Sequence, residues 1–447
     1  MVHCFTIGGK KLVYDPVSGA LHEVDDKAYE LINSLAEGKD LAHCPESEFR
    51  EVLAEIRELK ASDQLFTPDP GRELFSPPGF TPKALCLMVA QACNLRCDYC
   101  FAGEGTYGGS GLMTEKTALG AVDFLFRESG SSRTVEVDFF GGEPLLNFSV
   151  IVAVVEYAKE KAAACGKNIS FTVTTNALLL DQAKTDYLLE TGVNVVLSID
   201  GREKVHDRFR RFPDGMGSYD RVLDGVKAFY RRWSASPRSS YCYLRGTYTR
   251  MNPDFAADFC HLAGLGFKDI SLEPVVTGAD EPYSICGGAD LTAVAAEYER
   301  LAECYLGFRR KKKQVRFFHF ELDPAGGPCL TKRVTGCGAG FSYLAVSADG
   351  RLYPCHQFVG KEEFCIGDLR AGVQKPDIIE AFRRAHVYNK PCASCWARFY
   401  CGGGCHAAAH AANGTIFQPS PSACSLIRRR IECALYVLSE TAGSTVD

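Results

Sequence analysis

Apolar positions change their period twice along the chain. Near the N-terminus they fall in two short clusters, residues 5–7 and 11–14, divided by Gly8-Gly9, which predicts two strands joined by a turn. Asp25-Asp26 then caps a stretch in which Ala28, Leu31, Ile32 and Leu35 recur at helical spacing. After Pro45 a second helix is expected, with Phe49, Val52, Leu53, Ile56 and Leu59 on one face. Pro68, Pro70, Pro77, Pro78 and Pro82 mark a linker. The unit before it, residues 1–75, is small, but at roughly 65–75 residues it is large enough to fold as an appendage.

From residue 83 the pattern becomes short buried runs alternating with longer amphipathic ones. The runs predict strands at Ala84–Ala90, Thr134–Phe140, Ile169–Thr175, Asn194–Ile199, Tyr241–Tyr248 and Asp269–Glu273. Helices are expected near 115–128, 148–164, 182–191, 218–232, 254–264 and 292–308. Such alternation means parallel strands with right-handed crossovers, and ligands gather at the C-terminal ends of such strands. Six units, within residues 82–310, are too few to close an eight-stranded barrel. Past about residue 315 the alternation stops, and residues 311–447 read as a third, cysteine-rich domain.

A chain of 447 residues suits two or three domains. The net charge of −5 excludes an overall basic signature, so no nucleic-acid partner is expected. No apolar run approaches a membrane span, and Met1-Val2-His3-Cys4 does not open a secretory signal; the expectation is a cytoplasmic protein without a membrane partner. In that reducing setting 21 cysteines are metal ligands more readily than disulfides. Cys4, Cys44, Cys165, Cys242, Cys260, Cys304 and Cys433 are scattered and by default are small hydrophobes.

The densest chemistry is Cys93-Asn94-Leu95-Arg96-Cys97-Asp98-Tyr99-Cys100, directly after the first long strand. Three thiolates on one loop suit three irons of a [4Fe–4S] cluster and leave the fourth iron without a protein ligand. A partial zinc site would want a fourth ligand, and Asn94, Arg96 and Asp98 make this a polar loop rather than a packed strand. The stretch resembles the cluster loop of the radical S-adenosylmethionine (SAM) superfamily, including Tyr99. The resemblance implies a partial (β/α)6 TIM-like barrel whose open iron chelates SAM. Gly141-Gly142-Glu143-Pro144, one strand later, resembles the motif that binds the SAM amine. Asn176, in Thr174-Thr175-Asn176, is a candidate for the ribose or methionyl end. Ser198-Ile199-Asp200-Gly201 ends the fourth strand, and Ser198 and Arg210 are candidates for the SAM carboxylate. Against this, Arg208, Arg210 and Arg211 also read as a solvated face.

The second cysteine set runs Cys337, Gly350, Cys355, then Cys392-x2-Cys395-x5-Cys401-x3-Cys405, then Cys424. The order matches the SPASM extension of radical SAM peptide maturases; a zinc ribbon over the central four would leave three cysteines idle. By resemblance, Cys392, Cys395, Cys401 and Cys424 surround one auxiliary [4Fe–4S] cluster, and Cys337, Cys355 and Cys405 hold another, for three clusters in all. Fully ligated members carry a further cysteine where this chain has Tyr343, so an iron with an open position is expected unless Cys329 or Cys365 fills it. His356 stands where sulfatase maturases carry a catalytic Asp, and reads equally as a proton acceptor or as a support to the cluster.

Almost the whole chain is similar to the thioether-forming maturases of ribosomal peptides, and the Gly8–Asp26 region and Pro354-Cys355-His356-Gln357-Phe358 resemble, within them, those of the six-cysteines-in-forty-five (SCIFF) precursors. Residues 1–75 resemble a winged-helix-type leader-recognition domain, which takes an extended leader at a sheet edge. The resemblance implies a cysteine-rich precursor peptide as partner, a flavodoxin- or ferredoxin-type electron donor, and sulfur-to-carbon links as product. Formylglycine formation and carbon–carbon cyclisation are the alternatives.

Overall fold

The computed structural model describes residues 1–39, 46–69, 71–109, 111–237, 240–323 and 329–441; Cys44, Pro45 and Pro70 lie outside these described residues. The N-terminal strands β1 (His3–Ile7) and β2 (Lys10–Tyr14) form the expected hairpin, and β3 (Leu21–Glu23) adds antiparallel to β2. Leu21-His22-Glu23 is too short to show a period. It is brought back by a turn on Asp15, which accepts from Val17 N (2.9 Å), Ser18 N (3.2 Å) and Thr67 N (2.8 Å). Helices α1 (Asp26–Ala36), capped by Asp25 at 2.8 Å from Ala28 N, and α2 (Glu46–Ala61) cover one face. The two-residue period of β2 divides it between two cores. Val13 packs with Leu31, Ile32, Ile56 and Leu65, whereas Leu12 and Tyr14 join Phe5 and Ile7 in the main core.

Strands β4 (Ala84–Gln91), β5 (Thr134–Gly141), β6 (Asn168–Thr175), β7 (Asn194–Ser198), β8 (Cys242–Tyr248) and β9 (Asp269–Pro274) run parallel, each beside its neighbour in sequence. Between them lie α3 (Glu115–Glu128), α4 (Phe148–Cys165), α5 (Gln182–Thr191), α6 (Tyr219–Ala235), α7 (Phe255–Gly264) and, after β9, α8 (Gly288–Arg310). The outward residues Val135, Val137, Phe139, Phe171, Val173, Val195, Leu197, Leu244, Ile270 and Leu272 are buried in the main core with the helices. Their inward neighbours Asp138, Phe140, Thr172, Thr174, Ser198 and Thr247 are only half-buried, so the concave face is polar and accessible. This is the α/β partial barrel expected from the alternation.

The sheet does not end with six strands. Arg316–Phe317 pairs parallel with β9, and β10 (Tyr343–Val346) pairs parallel with β4 at the other edge, in the register Tyr343↔Ala84. β11 (Arg351–Tyr353) then continues antiparallel from β10. The C-terminal helix α9 (Pro421–Thr441) lies along α8, where Tyr436 Oη donates to Glu303 at 2.7 Å and Arg429 pairs with Glu299. It also holds the N-terminal hairpin: Lys10 meets Glu440 at 2.8 Å, and a Cβ on Gly8, at φ +58°, would stand 2.4 Å from the Tyr436 ring. His3 stacks on Trp396 with ring centres 3.8 Å apart. Among the described residues no helix is long and apolar enough to cross a membrane.

Candidate active site

Beyond β4 the chain leaves the sheet in a loop that carries Cys93, Cys97 and Cys100 over the C-terminal ends of the barrel strands. Cys93 Sγ accepts from Leu95 N at 3.4 Å, and Arg96 turns back onto Cys93 O at 2.9 Å, which closes the loop on itself. Burial pushes the thiols up, Cys93 to about 11 and Cys97 to about 12; nearby charges modulate both, among them the other two thiols of the loop for Cys97 and Arg210, which pulls both down. Thiols that are costly to ionise in a dry pocket become thiolates when a metal centre takes the proton's place.

Gly141 and Gly142 let β5 close against this loop. Gly141 has φ +137°, and a Cβ there would lie 2.1 Å from Ala90 O; one on Gly142 would lie 2.2 Å from Ala92 O. Side chains are excluded at both positions by backbone contact alone. The next residue turns inward. Glu143 is 1 % exposed and accepts from Leu145 N (3.1 Å), Thr175 Oγ1 (2.7 Å) and Asn176 N (2.8 Å). Burial raises its carboxyl to about 7 against the pull of these three donors. Glu143 therefore ties the end of β5 to the end of β6, and Pro144 starts the buried turn after it. Asn176, held in this way, donates to Asn94 Oδ1 at 2.7 Å and so steadies the cysteine loop.

Asp200 plays the same part on the next strands. It accepts from Tyr99 Oη, Arg210 Nε (3.0 Å) and Thr247 N (2.9 Å). Burial works to raise its carboxyl, but Arg210 and His206 hold it below the ordinary range. The Arg210 guanidinium lies over the Tyr99 ring, 5.5 Å from its centre, and is buried rather than part of a solvated face. Arg208 and Arg211 do face outward, on Met251 O and Asp98.

A cavity of about 190 Å³ opens beside these groups. Its wall includes all three loop cysteines, Tyr99, Gly141, Gly142, Asn176, Ser198, Arg210 and His356. Glu143, Pro144 and Asp200 are behind this wall and act on it through the hydrogen bonds above. His356 accepts or donates at Nδ1 to Tyr343 Oη, 2.8 Å away, and its ring meets Phe140 at 5.0 Å and Phe101 at 5.7 Å. Burial, reinforced by Arg245, lowers it to about 4, so the ring is neutral near pH 7.

Arg245, Thr247 and Glu273 also line the cavity and escaped the sequence reading. The signal for them lies in the two-residue period of the predicted strand 241–248, which sends Arg245 and Thr247 to one face, and in a charged residue ending strand 269–273. Glu273 Oε1 lies 2.8 Å from His319 Nε2, and its other oxygen lies 3.4 Å from Arg430. Arg245 has no ion pair among the described residues, and its charge is open to the cavity.

The seven C-terminal thiols fall into two sets by mutual electrostatic influence. Cys355 is raised first by burial and then by Cys405 and Cys337. Cys392 is raised to about 11 by burial and then by Cys401, with Cys424 and Cys395 adding to it. Lys390 stands between, depressed by burial and influenced by Cys392, Cys401, Cys337 and Cys405, and it donates to Gly403 O at 3.1 Å. Burial, and then Cys86, Cys100, Cys355 and Cys93, raise the Tyr107 hydroxyl, which reaches Gly141 O at 3.3 Å. Cys365 donates to Gly367 O at 3.6 Å, and Cys329 is exposed ahead of the short helix Leu330–Thr335.

Residues 87–245 match the radical SAM superfamily, and residues 337–396 match the SPASM iron–sulfur cluster-binding domain. An uncharacterized protein of Methanocaldococcus jannaschii is 35% identical over 192 residues, 43% of this chain and 62% of its own length. The radical SAM cyclopropyl synthase TigE of Paramaledivibacter caminithermalis is 21% identical over 94% of this chain and 92% of its own. Among solved structures, anSMEcpe with bound AdoMet and Cp18Cys peptide superimposes with a TM-score of 0.65 at 20% identity, over 81% of this chain and 99% of that one. Streptococcus suis SuiB bound to the precursor peptide SuiA does so with a TM-score of 0.53 at 16% identity, over 95% and 98%. These likenesses carry the fold of the barrel and its C-terminal extension.

Proposed function

We propose that this radical SAM enzyme, whose cofactors are SAM and the iron–sulfur clusters of its barrel and SPASM domain, links cysteine sulfur to carbon within a ribosomally made precursor peptide. Cys93, Cys97 and Cys100 would hold the cluster that binds SAM. Gly141 and Gly142 offer backbone to its amino group, while Ser198 and the free edge of Arg210 offer donors to its carboxylate. Bound there, SAM and its cluster would supply 5′-deoxyadenosyl radical chemistry, with hydrogen-atom removal from the acceptor residue. Cys392, Cys395, Cys401 and Cys424 would hold one auxiliary cluster, and Cys337, Cys355 and Cys405 the other.

What supports the thioether reading is Cys355, which is influenced by Cys337 and Cys405 and stands next to His356 in the cavity wall. Its neighbour on β10 is Tyr343, a hydroxyl already engaged with His356, rather than a further cysteine. A centre held by three thiols has room for a thiolate from the substrate. His356, neutral near pH 7, would take the proton that the substrate thiol releases. Residues 1–75, with a core of their own and a short outer strand, would hold the leader and raise the local concentration of the core peptide. A flavodoxin- or ferredoxin-type protein would supply the electrons.

A second reading, carbon–carbon closure, is favoured by the cyclopropyl synthase that matches nearly the whole chain. Mass spectrometry separates the two. In an anaerobic reaction of the reduced holoenzyme with SAM and a cysteine-rich precursor, a thioether removes two hydrogens per link and one alkylatable thiol with them. Loss of two hydrogens with every thiol still alkylated would overturn the proposal and support carbon–carbon closure.

A further inference from the structure

Toward the N-terminal ends of the strands the barrel has a second and larger space, of about 960 Å³. Two strands run past both spaces. On one face of β8, Arg245 and Thr247 line the cavity of the loop cysteines, while Tyr243 and, just before the strand, Tyr241 line the lower chamber. On β9, Glu273 stands in the upper wall and Asp269 in the lower. Tyr241 Oη lies 3.2 Å from Thr172 Oγ1 on β6, so this face of β8 points into the lumen. An ion-pair layer marks the boundary. Glu273 belongs to the upper wall, and its partners His319, at 2.8 Å, and Arg430, at 3.4 Å, belong to the lower. Along β8 the way between the two spaces is accessible, since Tyr241, Tyr243, Arg245 and Thr247 are each half-buried or exposed.

Every charge in the described wall of the lower chamber already has a partner. Besides the Glu273 layer, Arg316 Nε donates to Asp269 at 2.6 Å, and Glu321 accepts from Tyr305 Oη at 2.8 Å. What the chamber offers a guest is aromatic surface. The rings of Tyr241, Tyr243 and Phe318 form a stack with centres 6.0 Å apart at each step, and Phe318 is 61 % exposed. Tyr400 is also part of this wall, and its ring lies 6.1 Å from that of Tyr14 in the N-terminal unit.

We propose that the lower chamber is a second subsite for the peptide, which takes an aromatic side chain about four residues on the leader side of the residue that reacts. The proposal rests on the peptide reading above. The spacing comes from β8: Tyr243 to Thr247 spans about 13 Å, which an extended peptide covers in about four residues. The direction comes from Tyr400, which sets the chamber between the N-terminal unit and the cavity of the loop cysteines. An aromatic guest adds to the stack of Tyr241, Tyr243 and Phe318 by offset or edge contact and leaves every ion pair of the wall intact.

The test measures binding to the anaerobic, cluster-loaded protein with SAM by calorimetry. The probes are two acetylated, amidated heptapeptides of alanine with cysteine at the sixth position, one with phenylalanine and one with alanine at the second. The phenylalanine peptide is expected to bind the wild type about tenfold tighter. Phe318→Ala, at a ring that is mostly exposed, should remove most of that advantage and leave the affinity of the alanine peptide unchanged, whereas Phe318→Tyr should keep it. Equal affinity of the two peptides for the wild type, or an advantage undiminished in Phe318→Ala, would overturn the subsite alone. Failure of both peptides to bind would overturn it together with the peptide reading.

Discussion

The cysteine loop and the C-terminal cysteine region solve one problem in opposite ways. Cys93, Cys97 and Cys100 lie within eight residues of sequence and are placed by a rigid frame: a parallel sheet, two glycines pressed on backbone, and the buried carboxylates of Glu143 and Asp200 behind the wall. Cys337 to Cys424 are spread along two- to four-residue strands, single turns and short helices, of which Pro376–Arg384 and His406–Asn413 are the longest. The first region can hold its geometry before a cluster arrives. In the second, a bound centre would have to draw thiols from distant segments together, and its binding would then be folding free energy. The first therefore reads as preorganised, the second as assembled.

Removing iron should break this symmetry most strongly. Chelation of the holoprotein is expected to expose residues 329–424 to rapid hydrogen exchange and protease, while the barrel strands stay protected. Equal loss of protection in both regions would contradict the comparison.

Gly141→Ala should come next. With φ +137° and backbone 2.1 Å from the new Cβ, it is expected to destabilise the barrel by about 3 kcal/mol, measured by thermal unfolding.

Glu143→Gln tests the frame through pH. The native carboxyl titrates at about 7, above its value in an unfolded chain, so it binds a proton more readily when folded. Its contribution is complete below the unfolded value near 4.5 and is lost as pH rises through 7. Wild-type melting temperature should thus fall more steeply between pH 5 and 8 than that of the Gln variant, which cannot titrate. Parallel curves would remove Glu143 from the account.

The smallest effect on stability is expected for Arg245→Ala, about 0.5 kcal/mol or less, because the side chain is exposed and makes no ion pair among the described residues. Peptide turnover should nonetheless fall, with SAM cleavage retained, if its open charge holds substrate.

Much of this architecture was legible in sequence. The six barrel strands and the cysteine spacings follow from periodicity and from cysteine chemistry, both of which are local. What escaped depends on partners far along the chain. The motif resemblance marks Glu143, and the end of the fourth strand marks Asp200, but that Glu143 meets Thr175 and Asp200 meets Thr247 has no local signal, because no spacing reveals which way a side chain turns after a strand. β10 pairs with β4 across more than half the chain, so the continuity of the sheet into the cysteine-rich region had no local signal. Arg245 and Glu273 were hidden among strand residues whose polar alternation marked a strand without marking the lumen.

The central claim is that the two regions divide the chemistry, with SAM activated at the loop and sulfur bonded to carbon beside the three-thiol set. Cys355→Ala, assayed anaerobically for 5′-deoxyadenosine and peptide mass in one reaction, tests it directly. The account predicts continued SAM cleavage and an unmodified peptide. A peptide that still loses two hydrogens and a thiol would contradict it.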